Sequence, residues 1–66
     1  MNYHYFVSYL ALENDQFLSA GMIDYHNCTK IESFEDIKKM TSEIAESLNV
    51  EKILILNYNL IREEPY

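Results

Sequence analysis

Sixty-six residues leave room for one small domain, residues 1–66, and for no second core. Eleven acidic against five basic side chains give a net charge of −6, which makes nucleic acid and anionic membrane poor partners and a basic protein surface a better one. A single cysteine, Cys28, excludes an internal disulfide and fits a reducing cytosol.

In chain order, residues 3–12 read as a strand, because aromatic and β-branched side chains dominate and nothing breaks extension. Glu13-Asn14-Asp15-Gln16 is a polar break suited to a hairpin loop, and residues 17–25 return as the second strand. Gly21, the one glycine of the chain, marks a bulge or the close approach of another backbone. Residues 26–32 form a polar connection. Ser33 is placed to cap a helix, with Asp36 completing an approximate capping box and Glu35 and Asp36 favouring the positive end of the dipole. Phe34, Ile37, Met40, Ile44 and Leu48 share one stripe, which predicts a helix over Phe34–Leu48 ending at Asn49. Residues 52–61 form the last strand. Residues 62–66 read as a flexible tail, since Pro65 cannot continue a ladder.

The fold class is therefore α+β, in the order β-β-α-β. A hairpin followed by a right-handed crossover sets the third strand beside the first. That arrangement is a three-stranded antiparallel sheet of order 2-1-3 with one helix on one face. Both the first and last strands are apolar on both sides, whereas a single helix covers only one face. The helix stripe is pure hydrocarbon apart from its sulfur, so the expected core under it is Phe6, Leu10, Leu54 and Leu56, with Ser8 leaving room. Tyr3, Tyr5, Val7, Tyr9, Ile53 and Ile55 then form the uncovered face. Tyrosine suits a surface that is wet in one state and covered in another, so these six residues are the expected oligomer interface, a homodimer in the first instance. A domain of this size buries only ~60% of the surface its unfolded chain exposes, which makes association a natural supplement.

No catalytic residue, metal ligand set or cofactor site is expected. Asp24, His26 and Cys28 are three donors in one loop, short of any zinc spacing. Cys28 with His26 or His4 lacks an oxyanion hole or a nucleophile elbow, and one glycine cannot build a phosphate loop. Glu43, Glu46, Glu51, Glu63 and Glu64 are the acids least explained by local structure. They are the candidates for docking on a basic partner. With no basic leader at Met1-Asn2-Tyr3-His4 and no apolar run near the ~20 residues of a spanning helix, a soluble intracellular protein is expected.

Phe6-Val7-Ser8-Tyr9 near the start and Ile53-Leu54-Ile55-Leu56-Asn57-Tyr58 near the end, with a capped helix between them, resemble a group of very small phage and prophage proteins of low-GC Gram-positive hosts. Over most of the chain the resemblance lies in strand patterns. It implies a non-enzymatic accessory factor of the bacterial cytoplasm that homo-oligomerises and inhibits a host protein, such as an antiviral defence protein, by direct binding. The alternative is a sponge that sequesters a nucleotide-derived signal at an oligomer interface lined by tyrosines.

Overall fold

A computed structural model describes residues 1–65. The elements run β1 (Asn2–Glu13), β2 (Gln16–Asn27), α1 (Phe34–Leu48) and β3 (Lys52–Glu64). The sheet has the order β2-β1-β3, with both ladders antiparallel, as the connection rules require. Among the described residues, no helix is long and apolar enough to cross a membrane.

Each junction has a local cause. Asn14 and Asp15 take φ of 53° and 61°, so they form a two-residue turn with both central residues left-handed. That is the type I′ geometry that matches strand twist, and Asn and Asp tolerate it best after glycine. The helix opens on a reciprocal capping box. The Ser33 hydroxyl accepts from the Asp36 N–H at 3.3 Å, and Asp36 Oδ2 accepts from the Ser33 N–H at 3.2 Å and from the Glu32 N–H at 3.0 Å. Those bonds to the charged form hold the Asp36 carboxyl below the usual carboxylate range. The helix closes on Asn49 at φ 56°, and the Val50 N–H reaches back to the Ala45 carbonyl at 3.1 Å.

The strands run further than the residue patterns suggest. Arg62, Glu63 and Glu64 are not a tail: they continue β3 against His4, Tyr3 and Asn2. The proline stop acts only at Pro65 itself, and Tyr66 lies outside the described residues. His26 likewise belongs to β2 and not to a loop.

The helix lies on the opposite face from the expected one. The core is Tyr5, Val7, Ala11, Tyr25, Ile31, Met40, Ile44 and Ile53, with Tyr3, Tyr9, Ile23, Ile55 and Tyr58 packed against it. Tyr3, Tyr5, Val7, Tyr9, Ile53 and Ile55 are therefore the floor beneath the helix and not a free interface. Phe6 and Leu54 are exposed on the other side.

Two physical reasons account for the exchange. First, the buried tyrosines find partners on the helix side. The Tyr5 hydroxyl accepts from the Ile31 N–H at 2.8 Å, and the Tyr25 hydroxyl donates to Glu43 Oε1 at 2.6 Å. Burying these rings thus leaves no polar group unpaired. Second, strict alternation fails in β3. The register skips Leu56 between Ile55 and Asn57, and skips Ile61 between Leu60 and Arg62. The bulge at Leu56 restores apolar side chains to the helix face, which collects Ile53, Ile55, Tyr58 and Leu60, while Asn57 and Asn59 turn outward; the bulge at Ile61 sets Arg62 opposite His4. Gly21 sits opposite Tyr9, and a Cβ there would lie 2.7 Å from the Tyr9 hydroxyl. The close approach is therefore by an aromatic ring folded over the glycine, not by another backbone, and the β2 bulge falls at Leu18 instead.

Candidate functional site

The register fixes the composition of the open face row by row. Phe17, Leu12 and Lys52 lie across the hairpin end, followed by Ala20, Leu10 and Leu54, then Met22, Ser8 and Asn57, then Asp24, Phe6 and Asn59. His26, His4 and Arg62 cross the far end. The face is thus apolar toward the hairpin and polar toward the chain termini. Phe17 is 65% exposed, Met22 68% and Leu54 42%, so these side chains meet water rather than a covering element. Large apolar side chains scattered singly are ordinary on a surface; contiguous ones mark an interaction site.

The polar end holds the densest cluster of functional groups. His4 on β1 stands directly opposite His26 on β2, with ring centroids 4.1 Å apart. Asp24 is two residues before His26 on the same face, and its Oδ2 lies 3.0 Å from His26 Nε2. That contact, before any other influence, holds the Asp24 carboxyl below the usual range. On the other flank Glu64 Oε1 contacts His4 Nε2 and also lies 3.2 Å from Arg62 Nε. His4 is buried at 9% exposure, whereas Asp24 and His26 are open to solvent. A shallow hollow lined by His4, Phe6, Asp24, Ile61 and Arg62 leads to the cluster. Two imidazoles, two carboxylates and a guanidinium at this spacing can bind an anion through the arginine, exchange protons through the imidazoles, or hold a cation through nitrogen and carboxylate donors.

Of the three donors singled out in the sequence, the structure brings Asp24 and His26 together and leaves Cys28 exposed beyond the end of β2. His4 and Arg62 join them from other strands, and neither was legible as a member. A hairpin counted outward from Asn14-Asp15 without interruption sets His4 opposite Tyr25. The extra residue at Leu18 moves His26 into that place. Only the bulge creates the histidine pair, and a bulge has no reliable residue signature.

The five unexplained acids divide. Glu43 accepts from Tyr25, and Glu64 holds His4 and Arg62, so both have structural work. Desolvation, and then the Glu43 contact, push the Tyr25 phenol well above its ordinary range. Glu46, Glu51 and Glu63 are exposed. Comparison with protein-family models, curated proteins and solved structures finds no match to this chain.

Proposed function

We propose that the protein is a non-enzymatic binding module that pairs with a second copy through the hairpin half of its open sheet face and acts on a host protein by direct contact. The observation that carries this reading is the open apolar face itself, with exposed Phe6, Phe17, Met22 and Leu54 and half-buried Leu10 and Leu12 adjacent across three strands. A second copy is the favoured occupant because sheets with one apolar face commonly stack in aligned pairs about 10 Å apart. The mixed charges at the polar end, Asp24 and Glu64 beside Arg62 and the histidines, also allow a copy to approach without like-charge repulsion there.

The host-protein half of the reading rests on the net charge of −6 and on the resemblance of the first and last strands to small phage proteins. A basic surface on a defence protein of the bacterial cytosol is the partner class that both favour. The exposed Glu46, Glu51 and Glu63 are the acids left to meet it. The nucleotide-sponge alternative called for tyrosines at the interface, and Tyr3, Tyr5 and Tyr9 pack toward the helix instead, so no observation favours it.

Size-exclusion chromatography with light scattering tests the pairing. The wild-type chain runs as a dimer, and Leu54→Asp with Met22→Asp gives a folded monomer. A wild-type monomer at high concentration overturns the pairing. Expression in hosts carrying defence systems tests the second half: phage plating rises in at least one of them, and an unchanged efficiency in all of them counts against it.

A further inference from the structure

We propose that His4, Asp24 and His26 form a binding site for one divalent transition-metal ion of the zinc class, with Glu64 as the residue that orients His4. One donor atom from each of the three lies within 4.8 Å of the others, and His26 Nε2 and Asp24 Oδ2 are already 3.0 Å apart. A tetrahedral zinc ion, with metal–nitrogen and metal–oxygen bonds of about 2.0–2.2 Å, separates its ligand atoms by roughly 3.3 Å. Rotation of the exposed Asp24 and His26 side chains closes the difference without moving the backbone.

The backbone supplies the spacing. Directly opposite residues of an antiparallel pair hold their Cβ atoms about 4.5–5.5 Å apart, a span that two imidazoles bridge around one ion. Asp24 then enters from the next position on the same face of β2. The donor set selects the class of ion. Two imidazoles and a carboxylate suit zinc, cobalt or nickel, whereas magnesium and calcium take sites built wholly of oxygen.

The surroundings complete the case. A metal-ligating histidine has its other ring atoms oriented by a carboxylate or carbonyl. Glu64 Oε1 contacts His4 Nε2, so that Nδ1 is the nitrogen His4 offers the ion, and Glu64 is itself held by Arg62 Nε at 3.2 Å. That pairing also compensates the arginine charge that would otherwise oppose a cation. His4, nearly buried, forms a rigid base, and the two exposed ligands close over the ion from the open hollow. Three protein donors leave a fourth position for water or for a donor from another molecule. The site lies at the polar end of the face used for pairing, and its three ligands all belong to one chain.

Titration of metal-free full-length protein with Co2+, followed by visible absorption and by competition with Zn2+, tests the proposal. One ion binds per chain, and Zn2+ displaces it. His26→Ala and Asp24→Asn, at exposed positions outside the core, abolish the cobalt band while circular dichroism stays native. Glu64→Gln weakens binding by about 10–100-fold, and Cys28→Ser leaves it unchanged. Absence of a band in the wild type overturns the site, as does a band that survives both ligand substitutions or disappears with Cys28→Ser. The Leu54→Asp, Met22→Asp variant separates this site from self-association: it retains cobalt binding, and its loss of the band would show a site built between copies and refute the single-chain assignment.

Discussion

The two faces of this sheet both carry large apolar side chains and have opposite fates. On the helix side, Tyr5, Val7, Ala11 and Ile53 are buried beneath Met40 and Ile44. On the open side, Phe6, Phe17, Met22 and Leu54 are exposed. Hydrophobicity ranks the helix side first, since its rows Tyr5, Tyr25, Leu60 and Val7, Ile23, Tyr58 are apolar on all three strands while the open side turns polar toward the termini. Burial on that side is completed by pairing the polar groups that accompany the apolar ones, and both buried tyrosine hydroxyls are bonded. The open face puts its polar groups, His4, Asp24, His26, Arg62 and Glu64, at one end where water and each other satisfy them. A face can be rich in hydrocarbon and still lose the competition for the helix.

Substitutions that strike one face and spare the other break or sharpen this contrast. The largest effect is expected at the helix contact. Met40→Ala or Ile44→Ala, each at a position with almost no exposure, costs about 2–5 kcal/mol through lost burial and the cavity left behind. In a domain this small that is most of the stability, and urea unfolding monitored by circular dichroism reads it. Leu54→Ala on the open side leaves the midpoint of the isolated protomer within about 0.5 kcal/mol, as surface changes do, and shifts only the monomer–dimer equilibrium in light scattering. Equal destabilisation by the two sets would erase the distinction between the faces.

Smaller effects probe what ties the helix to its face. Tyr25→Phe removes the bond to Glu43 and costs about 1 kcal/mol, because the freed carboxylate regains water. The same bond predicts an alkaline weakness. The folded Tyr25 phenol ionises only well above its ordinary range, so its contribution is whole below the unfolded value and falls away as pH rises past it. Phenolate absorbance should show one tyrosine titrating late, together with loss of helix. Ser33→Ala costs about 1 kcal/mol at the cap. Asp36 acts with the opposite sign of pH dependence. Its folded carboxyl is depressed, so its stabilisation is complete above the unfolded value and is lost as pH falls through the folded one. The difference in unfolding midpoint between wild type and Asp36→Asn should therefore shrink on acidification.

Much of the candidate site was hidden for the same reason that the faces were. Asp24 and His26 stand out in the sequence as neighbouring donors, but their partners come from two other strands. Register decides those partners, and one bulged residue changes it. Tyr3, Tyr5, Val7, Tyr9, Ile53 and Ile55 share one face in the structure, as their alternation along the strands implies. Alternation leaves open which way that face points, since nothing in a period of two distinguishes in from out when both sides carry apolar residues.

By itself the chain determined its local elements and their order. The capping box at Ser33 and Asp36 and the left-handed stop at Asn49 bound the helix Phe34–Leu48, and short-range connection rules led to the order β2-β1-β3. These depend on residues within a few positions of one another, where steric and hydrogen-bonding preferences are strong. Only the tertiary structure decided which face the helix covers, where Leu18, Leu56 and Ile61 interrupt the ladders, and that His4 meets His26. Those outcomes are settled by partners far apart in the chain, through the pairing of buried hydroxyls and the fit of side chains across strands, and no local pattern encodes that competition.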